Sequence, residues 1–461
     1  MTSGPNPPSR PAPSDESTPS SRSRFRLLAL VGVVALGILG WGIFDPPFVD
    51  EYAYISQSYY ADLLFDGKTN DRAWLDFPAY DLVPLPKYGI GLALRGAGRP
   101  RPGPEAARMW YRDTSSQFGT PLDLTIARIP SIALGAVGCV ALAALGALVF
   151  GWRVGVVAAG LLMVNPLYRL HAHRAMSEAS CEAFLLIALV VALGCWRKTV
   201  GGERGAKRRA WTLLGWLGAG IAAGLSVLAK FNGLLALMTM AAWVVLAWLL
   251  PNRAWSGKLR PAVGASLSAV AAWCCFVALN PYMTARPAEP LPSEAKRIAD
   301  LNAWERFRFL IDHRREMSRS QQLGFAHNAL TTFAERAKVV AVQGFGRFGP
   351  LGPSSSDSTR RYDFAQDWGA VVWLPLCLLG LARAGVSGYR QHRAGEPPSA
   401  WACAVWALVS LVVVTLYLPM AWDRYQLPIQ APMALLAASA LVAVGESLAG
   451  LFRTSKAGTS A

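Results

Sequence analysis

The chain has 461 residues, of which 53% are hydrophobic and only 16% charged, with 17 Trp; this excludes an ordinary soluble domain and reads as an all-α, multi-spanning membrane protein. The formal charge of +16 does not point to nucleic acid, because the basic residues fall in short clusters between apolar runs, where they orient spans in a bilayer. The seven Cys residues lie mostly inside apolar runs, among them Cys139, Cys195, Cys274, Cys275, Cys377 and Cys403. They show neither a disulfide framework nor a metal-ligand spacing, and read as small fillers of helix interfaces.

Residues 1 to 24 are Ser/Pro-rich and lack apolar periodicity, as in a disordered cytoplasmic tail. Arg22, Arg24 and Arg26 precede an apolar run from Leu27 to Phe44. That run is long for a signal peptide and no small-residue cleavage site follows, so it is expected to remain as the first span. Pro46 and Pro47 then stop the helix. A new helix is expected near Asp50, with Phe48, Tyr52, Ile55, Tyr59 and Leu63 on one face, lying against the membrane surface. This leaves Asp50 and Glu51 at the bilayer boundary. As a helix N-cap and a first-turn acid they would be structural; the chemical alternative is a general base.

The loop 45–124 continues through the Asp66-Gly67-Lys68 turn and a proline-stiffened stretch from Asp81 to Lys87. Spans follow at about 126–150, at 154–168, which ends in Asn165-Pro166, and up to Trp196. The polar patch His171 to Glu178 is wedged before the fourth span. His171 and His173 stand two apart without a third ligand, which fits boundary histidines bonded to neighbours better than a metal site. Residues 211–250 are apolar except at Lys230-Phe231-Asn232-Gly233, so two spans with Lys230 at their turn are expected. A seventh span ends at Asn280-Pro281, a second polar loop covers 283–366, and spans at about 367–383 and 401–420 lead to Trp422-Asp423-Arg424-Tyr425 and a tenth span closing near 450, before a tail at 451–461. About ten crossings put the basic clusters, with both termini, on the cytoplasmic side and the two long loops on the other.

An ionised side chain in hydrocarbon costs on the order of 2.5–3.5 kcal/mol even on lenient scales, so the charges at span ends call for a partner or a task. On the extracytoplasmic face these are Asp50, Glu51 and Glu178 against Lys87, Arg128, Arg174, Lys230 and Arg424. Snorkelling or mutual pairing accounts for each cation singly; five together suit a lipid phosphate at the boundary. Transfer of a sugar from a polyprenyl phosphate needs one carboxylate to deprotonate the acceptor hydroxyl and cations to hold the departing phosphate, and a single base on one face implies inversion.

These residues resemble the glycosyltransferase family 39 and aminoarabinose-transferase group of the GT-C superfamily, which includes the protein O-mannosyltransferases. Val49-Asp50-Glu51-Tyr52-Ala53 is similar to the family's Asp-Glu motif, with Asp50 at the catalytic aspartate. Leu82-Val83-Pro84-Leu85-Pro86-Lys87 resembles its His-Pro-Pro-Leu-Gly-Lys element, with Leu82 in place of His. Arg128-Ile129-Pro130-Ser131, Arg174-Ala175-Met176-Ser177-Glu178 (Glu for the family's Asp), Ala229-Lys230-Phe231-Asn232-Gly233 and Arg424-Tyr425-Gln426-Leu427-Pro428 resemble further elements in the family's order. The resemblance covers residues 27–250 and the final 40. It implies a GT-C-like helical bundle over 25–450 in a cell membrane, a bacterial inner membrane by analogy. It also implies Asp50 as base, with Glu51, Lys87, Arg128, Arg174, Glu178, Lys230, Arg424 and Tyr425 about the substrates. The expected partners are a polyprenyl-phosphate-linked sugar and a lipid, protein or glycan acceptor, with no cofactor and no metal. A polytopic transporter or flippase is the rival reading, weakened by the lack of an internal repeat; a structural scaffold is a third.

Overall fold

The computed structural model describes residues 21–202, 205–250, 255–353 and 362–458. Most of the tail expected at 1–24 lies outside the described residues, as do 459–461; the first helix already begins at Ser21 and the last runs to Gly458. Among the described residues the structure is helical, and its β-type pairing is one isolated bridge between Ala329 and Met420.

Among the described residues nine helices are long and apolar enough to cross a membrane: Arg22–Phe44, Pro121–Phe150, Glu178–Val200, Ala206–Ala229, Phe231–Leu249, Lys258–Ala278, Phe364–Arg393, Ser399–Tyr417 and Asp423–Gly450. In place of the expected third span stands a pair of helices, Trp152–Met163 and Pro166–Ala172, bent by 70°. Asn165 makes the break. Its backbone is extended, its side chain accepts from the Tyr168 N–H (2.8 Å), and Pro166 opens the second piece without needing an amide partner. Neighbouring elements hold the break: the Asn165 side-chain amide donates to the Phe348 carbonyl (2.9 Å) and to Gln430 Oε1 (2.8 Å). Small residues let the spans close on each other. At Gly220 a methyl would meet the Ser268 carbonyl oxygen at 2.4 Å, so the Ala206–Ala229 and Lys258–Ala278 helices touch backbone to backbone.

The two long loops emerge at one end and cover each other. The Tyr88 hydroxyl of the first donates to the Leu279 carbonyl at the exit of the seventh span (2.9 Å). Arg306 of the second donates to the carbonyls of Tyr282 (2.6 Å), Ala285 (3.0 Å) and Ala299 (2.9 Å), and so fixes the helix Ala303–Gly324 over that exit.

The expected amphipathic helix from Asp50 to Leu63 is two short ones, Val49–Ser56 and Tyr60–Phe65. Residues Ala53 to Ser58 are buried on every side, polar ones included. Ile55 of the expected apolar face packs with Ile90 and Leu94 of the helix Leu85–Gly96, and Gln57 donates to Tyr111 of Pro104–Arg112. Periodicity marked Ile55 and Tyr59 as apolar positions, but not that a later part of the same loop would pack against Ile55.

Candidate active site

Asp50 and Glu51 stand in the first turn of Val49–Ser56, and the structure gives them different surroundings. Glu51 is wholly buried and saturated. Its Oε1 accepts from Arg128 Nε (2.8 Å) and the Ala175 N–H (2.8 Å), its Oε2 from Arg128 Nη2 (2.6 Å) and the Phe48 N–H (2.8 Å). Arg128, also buried, spends its other donors on the carbonyls of Ile43 (2.9 Å), Asp45 (2.7 Å) and Pro46 (3.3 Å). This bidentate pair therefore ties the end of the first span, the Pro-Pro turn, the second span and the Arg174–Ser177 segment into one unit. Asp50, the neighbour, is held by that unit but faces the other way, into a cavity of about 340 Å³.

Among the described residues, three carboxylates and three cations line this cavity: Asp50, Asp81 and Glu178 with Lys230, Arg314 and Arg424. They are paired. Arg424 Nη1 donates to Asp50 Oδ2, Lys230 Nζ to Glu178 Oε1 (2.7 Å), and Arg314 Nη1 approaches Asp81 Oδ1 (3.5 Å). The Arg424 guanidinium also lies over Trp422 (5.1 Å) and Tyr425 (5.8 Å), and Asp423 Oδ1 accepts from its backbone N–H (2.6 Å). Tyr425 lines the same cavity and donates to Gln321 Oε1 (3.3 Å).

Of the residues singled out in the sequence, Asp50, Glu178, Lys230, Arg424 and Tyr425 are thus brought together, across a separation of more than 370 positions. Glu51, Arg128, Lys87 and Arg174 do not line the cavity. Lys87 is buried with its Nζ on the Pro78 carbonyl (2.7 Å) and over the Tyr60 ring (4.7 Å); burial holds its ammonium well below the ordinary lysine range. Arg174 stacks its guanidinium on Phe48 (4.1 Å). His171 and His173 lie near carboxylates, Asp423 (3.6 Å) and Asp45 (3.2 Å) respectively. Among the described residues no group of three or more His, Cys, Asp and Glu side chains is placed to hold a metal ion.

Asp81 and Arg314 were not singled out in the sequence. Asp81 precedes the Leu82-to-Lys87 motif and carried a signal only by position. Arg314 belongs to a helix crowded with charge, where nothing in the spacing separates one Arg from the others. On the helix, Arg306, Leu310, Arg314, Met317 and Gln321 recur at spacings of four, four, three and four, which makes the anchored face and the cavity face continuous.

From this cavity a second, apolar space of about 270 Å³ runs between the Phe231–Leu249 and Ser399–Tyr417 helices. It shares Phe231, Asn232, Arg314, Tyr417 and Tyr425 with the charged cavity and continues along Leu235, Met238, Val413 and Val414.

The fold is similar to that of two solved structures. The chain superimposes on the ArnT structure from Cupriavidus metallidurans bound to undecaprenyl phosphate with a TM-score of 0.51 and 15% identity, over 95% of this chain and 64% of that one. It superimposes on the archaeal oligosaccharyltransferase AglB from Archaeoglobus fulgidus, in complex with an inhibitory peptide and a dolichol-phosphate, with a TM-score of 0.51 and 15% identity, over 94% of this chain and 52% of that one. The chain therefore spans between half and two thirds of the length of these structures. No protein-family model and no curated protein matches it.

Proposed function

We propose that the protein is a multi-pass membrane glycosyltransferase that moves a sugar from a polyprenyl-phosphate donor to an acceptor hydroxyl on the extracytoplasmic face, with inversion and with Asp50 as general base. The observation that carries the proposal is the continuity of one space: three carboxylates, Asp50 among them, three cations and an apolar groove meet at one end of the helical bundle. The two solved structures of the same fold named above contain undecaprenyl phosphate or dolichol-phosphate, which supports a lipid of that class here. The basic connections after Trp196 and near Lys258 support a cytoplasmic opposite face, with both termini on it.

In this reading the prenyl chain occupies the groove and the phosphate sits among Arg424, Lys230 and Arg314. The arriving phosphate competes for cations that each hold a carboxylate. As Arg424 turns toward it, the Asp50 carboxylate is freed. Asp50 then accepts the proton of the acceptor hydroxyl while that oxygen forms its bond to the anomeric carbon. The bond from the anomeric carbon to the phosphate oxygen breaks, its electron pair leaves with the phosphate, and the three cations offset the charge that develops there. Phosphate departs without a second carboxylic acid, so Glu178 is left to orient Lys230. Glu51 and Arg128 act as positioning residues through the first-loop turn.

The test is transfer of label from a radiolabelled polyprenyl-phosphate sugar by the purified protein in nanodiscs. Label leaving the lipid for an acceptor present in an envelope extract supports the proposal. Sugar that stays on the lipid while the lipid crosses vesicle bilayers contradicts it and supports a transporter.

A further inference from the structure

The wall of the charged cavity away from the apolar groove is built from different material. It is formed by two short helices of the first loop, Phe77–Asp81 and Pro104–Arg112, and presents Phe77, Trp110 and Tyr111 around the carboxylate of Asp81. The rings are set edge to face, Phe77 to Tyr111 with centroids 4.9 Å apart at 90° and Trp110 to Tyr111 at 5.0 Å and 85°, so neighbouring ring faces point in different directions around one hollow. None of these four residues lines the groove.

The polar group in this wall is held in a defined state. Gln57 Nε2 donates to the Tyr111 hydroxyl (3.0 Å), which leaves the single phenolic hydrogen to be donated to Asp81 Oδ2 (2.5 Å). Burial, and then the Asp81 charge, push the Tyr111 phenol well above its ordinary range, so it stays a donor. Asp81 is thereby an oriented acceptor. Its second oxygen, Oδ1, has the longer approaches of Arg314 (3.5 Å) and His313 (4.0 Å), and the residue lines the cavity.

Ring faces carry the negative part of the aromatic quadrupole and attract the weakly positive C–H face of a saturated ring, while an ionised carboxylate accepts from hydroxyl groups on its rim. That combination matches a pyranose. An extended peptide pairs its main chain with an open strand edge, whereas this wall presents the side chains of two short helices. We propose that Phe77, Trp110, Tyr111 and Asp81 form a subsite for a pyranose ring of the acceptor, so that the acceptor is itself a carbohydrate. This rests on the transferase reading and adds the acceptor's class to it. The groove end takes the donor's lipid and phosphate, and the aromatic end takes the sugar whose hydroxyl is deprotonated at Asp50 between them.

The experiment uses the full chain in nanodiscs and two readouts. The first is the rise in thermal midpoint caused by a polyprenyl phosphate; the second is saturation-transfer NMR with a panel of methyl pyranosides and a short oligosaccharide, free and on a glycolipid. At least one saccharide is expected to show transfer to its ring C–H protons. Its affinity is expected to fall tenfold or more in Phe77→Leu and Trp110→Ala, with the polyprenyl-phosphate shift unchanged in both, and fivefold or more in Asp81→Asn, where the shift is free to change because Asp81 also holds Arg314. Phe77→Leu keeps the apolar volume while removing the ring face, so it tests the subsite even where Trp110→Ala fails to fold. A signal with the free oligosaccharide assigns a soluble glycan, and a signal with the glycolipid alone assigns a lipid-borne one; both support the subsite. Saccharide contact undiminished in the variants, no contact with any saccharide, or a Ser/Thr peptide whose binding the variants abolish would overturn it. Loss of the polyprenyl-phosphate shift in the unsubstituted protein would instead sink the transferase reading, and leaves the saccharide result to stand or fall separately.

Discussion

Glu51→Gln separates what two adjacent acids do. In the structure Glu51 receives four hydrogen bonds, two of them from Arg128, and both side chains are essentially without solvent exposure. Substitution keeps the shape but removes the charge, leaving the Arg128 guanidinium buried against carbonyls alone. Breaking a buried pair from one side costs about 3–5 kcal/mol. With an unfolding entropy of ~2.1 cal/mol/K per residue over a chain of this length, that cost lowers the thermal midpoint by at least about 3–5 °C, and by more where the spans stay helical and contribute less entropy. The assay is the apparent midpoint of purified protein at a fixed scan rate, since membrane proteins seldom unfold reversibly. Transfer is expected to fall with it, because the turn that aims Asp50 is loosened. Asp50→Asn, by contrast, is expected to leave the midpoint within about 1 °C, as the pair it breaks is partly solvated. An unchanged midpoint in Glu51→Gln would refute the clamp and the positioning role drawn from it.

Three further outcomes follow from the same packing and charge arrangement. Gly91→Ala places a methyl 2.4 Å from the Ser58 carbonyl oxygen and 2.5 Å from Ala61 Cβ, so the helix carrying Lys87 must move off the Ser58 and Ala61 backbone; a loss of about 1–3 kcal/mol is expected as a lower midpoint. Lys230→Met leaves the Glu178 carboxylate buried without its 2.7 Å partner, and Lys230→Met with Glu178→Gln is expected to recover part of the lost stability, as read from a double-mutant cycle. His313 has a lowered pKa in the fold, from burial first and then Arg314, so it remains neutral there while the unfolded chain takes up a proton near pH 6.5. Between these values the unfolded state binds more protons; stability present above about pH 6.5 is therefore lost as pH falls toward the folded value. His313→Gln is expected to flatten the midpoint between pH 7 and 5, and an identical slope in both proteins would contradict the assignment.

The spans were legible because a bilayer asks for about 20 apolar residues in a row, and the sequence supplies such runs at most of the observed positions. The break at Asn165-Pro166 was visible as an end but not as a bend, since the bend depends on Phe348 and Gln430 receiving the Asn165 amide from far along the chain. Asp50, Glu178, Lys230 and Arg424 were legible as charges at span ends, where hydrocarbon makes an unpartnered ion costly. Their pairing was not. Periodicity cannot tell that Arg128 meets Glu51 while Arg424 meets Asp50, although the two carboxylates are neighbours in sequence. Arg314 and Asp81 stayed hidden for a related reason. They lie in polar loops where a charge is cheap, so neither its presence nor its spacing marks it until Arg306 anchors the helix Ala303–Gly324 and the first loop folds back beneath it.

The most direct measurement compares the unsubstituted protein and Asp50→Asn in nanodiscs with the same labelled polyprenyl-phosphate sugar, recording donor binding and label transfer on one sample. Binding within about threefold, with transfer reduced at least a hundredfold, is the outcome expected of a general base removed from an otherwise intact site. Transfer that persists in Asp50→Asn at comparable rates would show that another group takes the proton, and the assignment of Asp50 would fall.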